Sequence, residues 1–174
     1  MGTNADAAQA PSWIQRVLIG RNPKRTLVRI AVLVAACFVV FKFVLVPVHV
    51  DGGSMLPTYK ANGVNFVNRL SYLFREPRRG DVVAIGLQAG EHVMYMKRIV
   101  GLPGETVAFH KGRLFINGKP LEEPYVKLPC DWEQEPEQVG PDQYYVVGDN
   151  RDMPWEDHAH GRAARDRIMG KVLL

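Results

Sequence analysis

Leu27 to Val46 forms the longest apolar run of the chain, and it is interrupted only by Arg29 near its start and Lys42 near its end. Twenty residues at helical rise span about 30 Å, which matches the hydrocarbon core of a bilayer. The long stem of Lys42 can carry its charge to the membrane interface. The pattern therefore predicts one membrane-spanning helix over residues 27–46.

The charges on either side of this run differ in sign and number. No Lys or Arg occurs between Phe43 and Tyr59, whereas basic residues crowd the other side. These basic residues are Arg16, Arg21, Lys24, Arg25 and Arg29. Because basic flanks stay in the cytoplasm, we expect a cytoplasmic N-terminal segment over residues 1–26 and an extracytoplasmic domain over residues 47–174.

A cleaved signal peptide is the alternative interpretation of the apolar run. Its apolar region is usually shorter, and a small-x-small cleavage site should follow. Val46-Pro47-Val48-His49-Val50 contains no such site, which favours an uncleaved anchor. Ahead of the run, Trp13, Ile14, Val17 and Leu18 have helical spacing, which is typical of a helix on the membrane surface or of an unstructured tail.

Beyond the anchor, short apolar or alternating runs are separated by turn residues, which is typical of antiparallel strands. The runs are Val64–Val67, Asp81–Ile85, Val93–Val100, Val107–Phe109, Arg113–Ile116, Lys119–Leu121 and Gln143–Val147. They predict a mainly β fold, an antiparallel β-sandwich or open barrel. We expect a solvated loop over residues 129–141 and a short helix or turn over residues 162–167.

Composition excludes several function classes. The net charge is +4, but residues 1–26 carry +3 of it, so the basic pI reflects the N-terminal flank and does not indicate a nucleic-acid-binding groove. Cys37 lies in the apolar run and Cys130 lies far beyond it, so we expect no disulfide. No ligand spacing indicates a metal site, and the histidines, among them His92, His110, His158 and His160, are interpreted as solvated or structural.

Ser54 and Lys97 are the residues that indicate chemistry. A serine hydroxyl is a weak nucleophile and needs a neighbouring base. A lysine can be that base where an apolar pocket disfavours its charged form, and Met55, Met96 and Ile99 are available to form one. Alternation places Lys97 on a half-buried strand face. Taken singly, a turn serine and a surface lysine would need no further explanation.

Four ordered motifs give the pair its meaning. They are Ser54-Met55-x-Pro57-Thr58, Arg79-Gly80-Asp81-Val82-Val83, Lys97-Arg98-Ile99-Val100-Gly101-x-Pro103-Gly104-Glu105 and Gly148-Asp149-Asn150-Arg151-Asp152. This set resembles type I signal peptidase, a membrane-anchored Ser/Lys endopeptidase of exported preproteins. The resemblance implies a nucleophile at Ser54, a general base at Lys97, no cofactor, and a β-rich catalytic core with a small accessory insertion over residues 102–142. It also implies signal-peptide-bearing preproteins, the plasma membrane bilayer and the secretion translocon as partners.

The resemblance also assigns supporting residues. Backbone N–H groups at Gly53 and Ser54 are candidate oxyanion donors, because Gly52 stands where some family members have a serine hydroxyl. Arg98 and Asp149 would form an ion pair that braces the base strand against the loop carrying Arg151. The candidate substrate-binding residues are Asp51, Gly52, Met55, Tyr95 and Met96.

The last motif departs from the family pattern. Where the family commonly has a serine that orients the lysine, this chain has Pro154, and the family Asp/Arg pair is replaced by Glu156 and His158. Another group or water then orients Lys97, or the enzyme is slow or inactive. The function hypotheses are therefore signal peptide removal, a specialised pilin-processing peptidase of conjugation, and a non-catalytic signal-peptide-binding protein. Self-cleaving repressors share Ser/Lys chemistry, but the anchor argues against them.

Overall fold

A computed structural model describes residues 22–50, 52–86 and 94–173. The chain divides into two compact units, residues 1–40 and 41–174. The described part of the first unit is helix α1 (Pro23–Val39), which begins at a proline, a residue favoured in the first helical turn. Together with a π-helical turn at Val40–Val44, the segment Lys24–Val44 is long and apolar enough to cross a membrane, and its apolar side chains are exposed. The predicted surface helix around Trp13 lies outside the described residues.

The second unit is built almost entirely of antiparallel strands, in agreement with the period-two pattern of its sequence. Short 3-10 turns lie at Arg69–Tyr72, Trp155–Asp157 and Arg165–Arg167. The strands are β1 (Leu45–Val50), β2 (Gly63–Asn68), β3 (Val82–Gly86), β4 (Met94–Gly101), β5 (Thr106–His110), β6 (Arg113–Ile116), β7 (Lys119–Pro120), β8 (Gln134–Gln138), β9 (Gln143–Val147), β10 (Gly161–Ala164) and β11 (Ile168–Leu173).

These strands form two sheets. The larger has the order β1-β2-β11-β3-β4-β9-β10, and the smaller has the order β7-β6-β5-β8. All four strands of the smaller sheet come from residues 106–138, within the range predicted for an insertion. Val100 and Tyr145 of the larger sheet pack with Val107, Phe109 and other residues of the smaller sheet in one buried cluster, which fixes the two sheets against each other.

The predicted mainly β antiparallel fold is confirmed, with local corrections. The loop expected over residues 129–141 contains strand β8, which pairs with β5. The helix or turn expected over residues 162–167 is a 3-10 turn only at Arg165–Arg167, because Gly161–Ala164 pairs with β9 as β10. Strand β1 begins at Leu45, within the apolar run, and pairs along its full length with β2.

Candidate active site

Strand β4 carries Lys97 into the interior of the second unit. Its neighbours on the same face are Tyr95, which is exposed, and Ile99, which is buried, so Lys97 lies where the strand passes from surface to core. The Lys97 side chain is only 3% exposed. Its Nζ donates a hydrogen bond of 2.6 Å to Ser54 Oγ. A hydroxyl oxygen and an amine nitrogen are thus within direct proton-transfer distance.

The loop that presents Ser54 is fixed from behind by Asn150. The backbone N–H of Asn150 donates to the Ser54 carbonyl at 2.9 Å, and its Nδ2 donates to the Gly53 carbonyl, also at 2.9 Å. Gly52 has φ +93°, a conformation that L side chains rarely adopt. The double-glycine sequence therefore permits the turn, and Asn150 holds the hydroxyl toward Lys97.

Burial changes the acid–base behaviour of the lysine. Loss of hydration lowers the pKa of the Lys97 ammonium from 10.5 to about 8, while the negative charge of Asp149 acts in the opposite direction. Near neutral pH a usable fraction of the amine is therefore unprotonated. Ser54 Oγ is the one hydrogen-bond partner of Lys97 Nζ within the described residues. An unprotonated amine in this position can accept the proton of the Ser54 hydroxyl.

Next to Lys97 in the sequence, Arg98 forms a buried ion pair with Asp149. Arg98 donates to Asp149 through Nε at 2.8 Å and Nη2 at 2.5 Å, and the Asp149 side chain is 0% exposed. Thr58 Oγ1 donates to the same carboxylate at 2.6 Å. Arg98 also donates to the Gly80 carbonyl and stacks over Tyr125. Asp149 therefore links the base strand to the segment that follows Ser54.

Arg151, the second basic residue of this loop, is also buried, but it faces the smaller sheet. Its guanidinium makes two hydrogen bonds with Glu123, at 2.5 Å and 3.2 Å, and its Nε donates to the Gly148 carbonyl. It lies over the rings of Phe109 and Trp132. Arg151 thus joins the Gly148–Arg151 loop to the smaller sheet and does not touch Ser54 or Lys97 directly.

A small hollow, lined by both polar and apolar side chains, opens beside Ser54. Its volume is about 50 Å³, and its walls come from β1, β3, β4 and β11. The lining residues include Val48, Val50, Ser54, Met55, Ala84, Tyr95 and Met96. A hollow of this size accepts a small side chain and excludes an aromatic ring. The structure thus brings Met55, Tyr95 and Met96 together at the nucleophile, whereas Gly52 is exposed and Asp51 lies outside the described residues.

Of the two expected oxyanion donors, the N–H groups of Gly53 and Ser54, the structure supports that of Ser54. Within the described residues the Ser54 N–H donates to no acceptor and is therefore available. The Gly53 carbonyl is tied to Asn150 and to the Leu56 N–H, so Gly53 supports the loop. No side-chain hydroxyl is present at Gly52.

Comparison with known proteins shows the family of this chain. The family model described as "Signal peptidase, peptidase S26" matches residues 24–174. The chain belongs to the signal peptidase S26 family. Membership accounts for the joint occurrence of the four motifs. In the fold they lie at the loop of Ser54, at the Gly80–Asp81 turn, on β4 and in the Gly148–Arg151 loop.

Individual relatives carry the same name. The chain is similar to signal peptidase I of Leptolyngbya laminosa, with 39% identity over 72% of this chain and 66% of the relative. It is also similar to signal peptidase IB of Staphylococcus aureus (strain Mu50), with 31% identity over 84% and 85%. The chain spans about two thirds or less of the Leptolyngbya relative and of a probable signal peptidase I-2 of Synechocystis. A solved structure of signal peptidase I from Enterococcus faecalis V583 matches with TM-score 0.45 and 25% identity, over 57% of this chain and 98% of that one.

Pro154, where this chain departs from the family pattern, lies on the surface of the protein. Pro154 is exposed and begins the Trp155–Asp157 turn, and it lines a surface hollow with Trp132 and Trp155. No contact joins it to Lys97 in the described part of the chain. Glu156 is likewise exposed. A serine at position 154 of this backbone would therefore face solvent.

His158 stands where the family pattern has an arginine, and its burial is what sequence reasoning could not supply. It is 2% exposed, so of the two interpretations, solvated or structural, the structure supports the second, and neither ring nitrogen lies in hydrogen-bond geometry with a described residue. It packs edge-on against Trp132. A Cβ built on Gly148 would lie 2.2 Å from the Ser54 carbonyl oxygen and 2.6 Å from His158 Nε2, so both groups crowd around Gly148. Burial first, and the Lys97 charge second, lower the pKa of His158 to about 3.

The described residues contain no group of His, Cys, Asp and Glu side chains able to hold a metal ion. His110 pairs with Glu133 on the surface, and His160 stacks against Trp155. His92 lies outside the described residues.

Proposed function

We propose that this protein is a membrane-anchored serine endopeptidase that removes signal peptides from exported preproteins. The observation that carries the proposal is the 2.6 Å hydrogen bond between Lys97 Nζ and Ser54 Oγ, with the lysine buried. Burial disfavours a charged lysine in that position, and Lys97 forms no ion pair within the described residues. A neutral one is a base aimed at a nucleophile.

The reaction proceeds by acyl transfer. Ser54 Oγ attacks the scissile carbonyl carbon, and Lys97 accepts the hydroxyl proton as the new C–O bond forms. The Ser54 N–H is a donor for the resulting oxyanion. Lys97 then gives its proton to the leaving amine as the C–N bond breaks. A water molecule then attacks the acyl carbon and loses a proton to Lys97. Lys97 passes this proton to Ser54 Oγ as the acyl C–O bond breaks, which releases the signal peptide and restores the enzyme.

The sheet leaves room for an extended substrate. Strand β4 pairs with β3 from Met94 to Arg98, but it pairs with β9 only from Arg98 onward. The side of Met94–Lys97 that faces away from β3 therefore has no strand partner among the described residues. Strand β1 is an edge strand of the same sheet. A substrate in β conformation could add its backbone hydrogen bonds to these edges and place the residue before the cut in the 50 Å³ hollow. That volume favours small residues at this position.

The apolar helix would anchor the enzyme next to its substrates. Lys24 and Arg25 lie at its N-terminal end, which supports a cytoplasmic N-terminus and an extracytoplasmic catalytic unit. Signal peptides inserted in the same bilayer would then present their cleavage sites on the same side of the membrane as the catalytic unit. Delivery by the secretion translocon is compatible with this arrangement.

Cleavage of a preprotein by the purified full chain in detergent tests the proposal. Wild type and Ser71→Ala should release the mature protein, whereas Ser54→Ala should not. Ser71 is a matched control, since it is a half-buried serine on the Arg69–Tyr72 turn outside the site. Processing by Ser54→Ala at the wild-type rate, or no processing by wild type, would overturn the proposal.

A further inference from the structure

A second and larger cavity adjoins the site on the lysine side. Its volume is about 410 Å³, and Lys97 and Tyr95 form part of its wall. Tyr95 also lines the small hollow beside Ser54, so the two cavities are neighbours. Ser54 lines the small hollow and does not line the large cavity. The two halves of a substrate can therefore occupy different cavities.

The proposed reaction decides which half of the substrate lies in the small hollow and which lies in the large cavity. This argument rests on the proposed function. The acyl half stays bonded to Ser54 Oγ, so its last side chain occupies the hollow that Ser54 lines. The leaving amine must receive its proton from Lys97 Nζ, so the leaving segment has to pass the lysine. The cavity lined by Lys97 is therefore the one next to the first residues of the mature protein.

The charge of this cavity is one-sided. Two arginines, Arg162 and Arg167, line it, and no Asp or Glu lines it among the described residues. Arg162 is engaged, because its Nε lies 2.7 Å from Glu137 Oε1. Arg167 is half-buried and makes no ion pair with any described residue. His160 also lines the cavity, but burial lowers the pKa of its ring, so it adds no charge near neutral pH.

We infer that this cavity is a binding subsite for an acidic side chain of the leaving segment, within the first four residues after the cut, and that Arg167 is its specificity-determining residue. A half-buried, unpaired guanidinium is well suited to a carboxylate, which it can bind through two parallel hydrogen bonds. Binding there would hold the leaving amine against Lys97. Neutral mature segments would still be cleaved, but less efficiently.

Matched peptides test the inference with the full chain in detergent. A preprotein peptide carries one Glu at the first, second, third or fourth position after the cut, and its control carries the isosteric Gln there. We expect kcat/KM to be about three- to tenfold higher for Glu at one of these positions, as for a partly buried ion pair. Lys at that position should be the poorest, and high salt should reduce the difference.

Variants assign the effect to Arg167. Arg167→Ala should remove the Glu-over-Gln ratio, Arg167→Lys should retain part of it, and Arg167→Glu should reverse the order of Glu and Lys. Arg113→Ala removes the same charge from an exposed position on β6 and should leave the ratio unchanged. Equal kcat/KM for Glu and Gln at all four positions, or a ratio that survives Arg167→Ala, would overturn the inference while leaving the proposed function intact. Failure to cleave any peptide would overturn both.

Discussion

Replacing Lys97 by methionine should stabilise the folded protein at neutral pH while abolishing cleavage. The folded-state pKa of Lys97 is about 8, against 10.5 for the free side chain. Below pH 8 both folded and unfolded chains bind this proton, and the folded chain carries the whole penalty of about 3 kcal/mol. Between pH 8 and 10.5 the unfolded chain binds more protons, so stability rises with pH. The penalty falls to about 1.4 kcal/mol at pH 9.5.

Methionine fills a similar volume without charge, so Lys97→Met removes this penalty but also loses the hydrogen bond to Ser54, worth about 1 kcal/mol. The expected gain is therefore about 2 kcal/mol at pH 6 and close to zero at pH 9.5. Chemical unfolding of the full chain in detergent at both pH values measures it. Lys119→Met, on an exposed strand, is the control and should show no such pH dependence. A Lys97→Met protein that is less stable than wild type at pH 6 would refute the reasoning.

Substitutions at three further positions test the surroundings of the site. Gly148→Ala should lower cleavage by about tenfold or more, because the new Cβ would lie 2.2 Å from the Ser54 carbonyl oxygen and displace the nucleophile. Initial rates with a preprotein measure this, and a wild-type rate would contradict it. Asp149→Ala should cost about 3 kcal/mol of unfolding free energy by leaving buried Arg98 unpaired, and a loss below 1 kcal/mol in urea titration would argue against a buried pair. Pro154→Ser and Pro154→Ala should cleave at equal rates, since position 154 is exposed, whereas a faster serine variant would show that its hydroxyl reaches Lys97.

Periodicity predicted the strands β2 to β7 and β9, and it did not predict β1, β8, β10 or β11. Strand β11 has an alternating buried face, but it follows directly on the Arg165–Arg167 turn. Strand β8 has the sequence Gln134-Glu135-Pro136-Glu137-Gln138, which carries no alternation of apolar residues. It is an edge strand of the smaller sheet, where charged residues and proline are tolerated. Its pairing with β5 comes from the tertiary fold and leaves no local signal.

The start of β1 could not be predicted because the helix before it is as apolar as the strand. Helix, turn and strand are all apolar from Leu27 to Val46, so hydropathy alone cannot show where the helix ends and pairing begins. The valines at Val46, Val48 and Val50 favour a strand, but the same residues are accepted in a membrane helix. Pairing of Leu45 with Asn68 decides the matter in the structure.

In the candidate site, too, some features could be predicted from the sequence and others depend on the tertiary fold. The family motifs singled out Ser54 and Lys97, but the burial that lowers the pKa of Lys97 depends on contacts between distant strands. The family pattern named His158 as a replacement, but its burial could not be predicted, because it depends on packing against Trp132, which is distant in the sequence. The last motif directs attention to Pro154, whereas in the fold Pro154 is exposed and His158 is buried.

The pH dependence of kcat/KM is the most direct test of the central claim that a buried, neutral Lys97 activates Ser54. It should be measured for the wild-type full chain with a preprotein substrate whose reacting region has no ionisable side chain. We predict a rise with unit slope below an apparent pKa of about 8 and a plateau above it, because only the unprotonated lysine can accept the Ser54 proton. A rate that continues to rise with unit slope to pH 10.5, or one that is independent of pH between 6 and 9, would contradict the account.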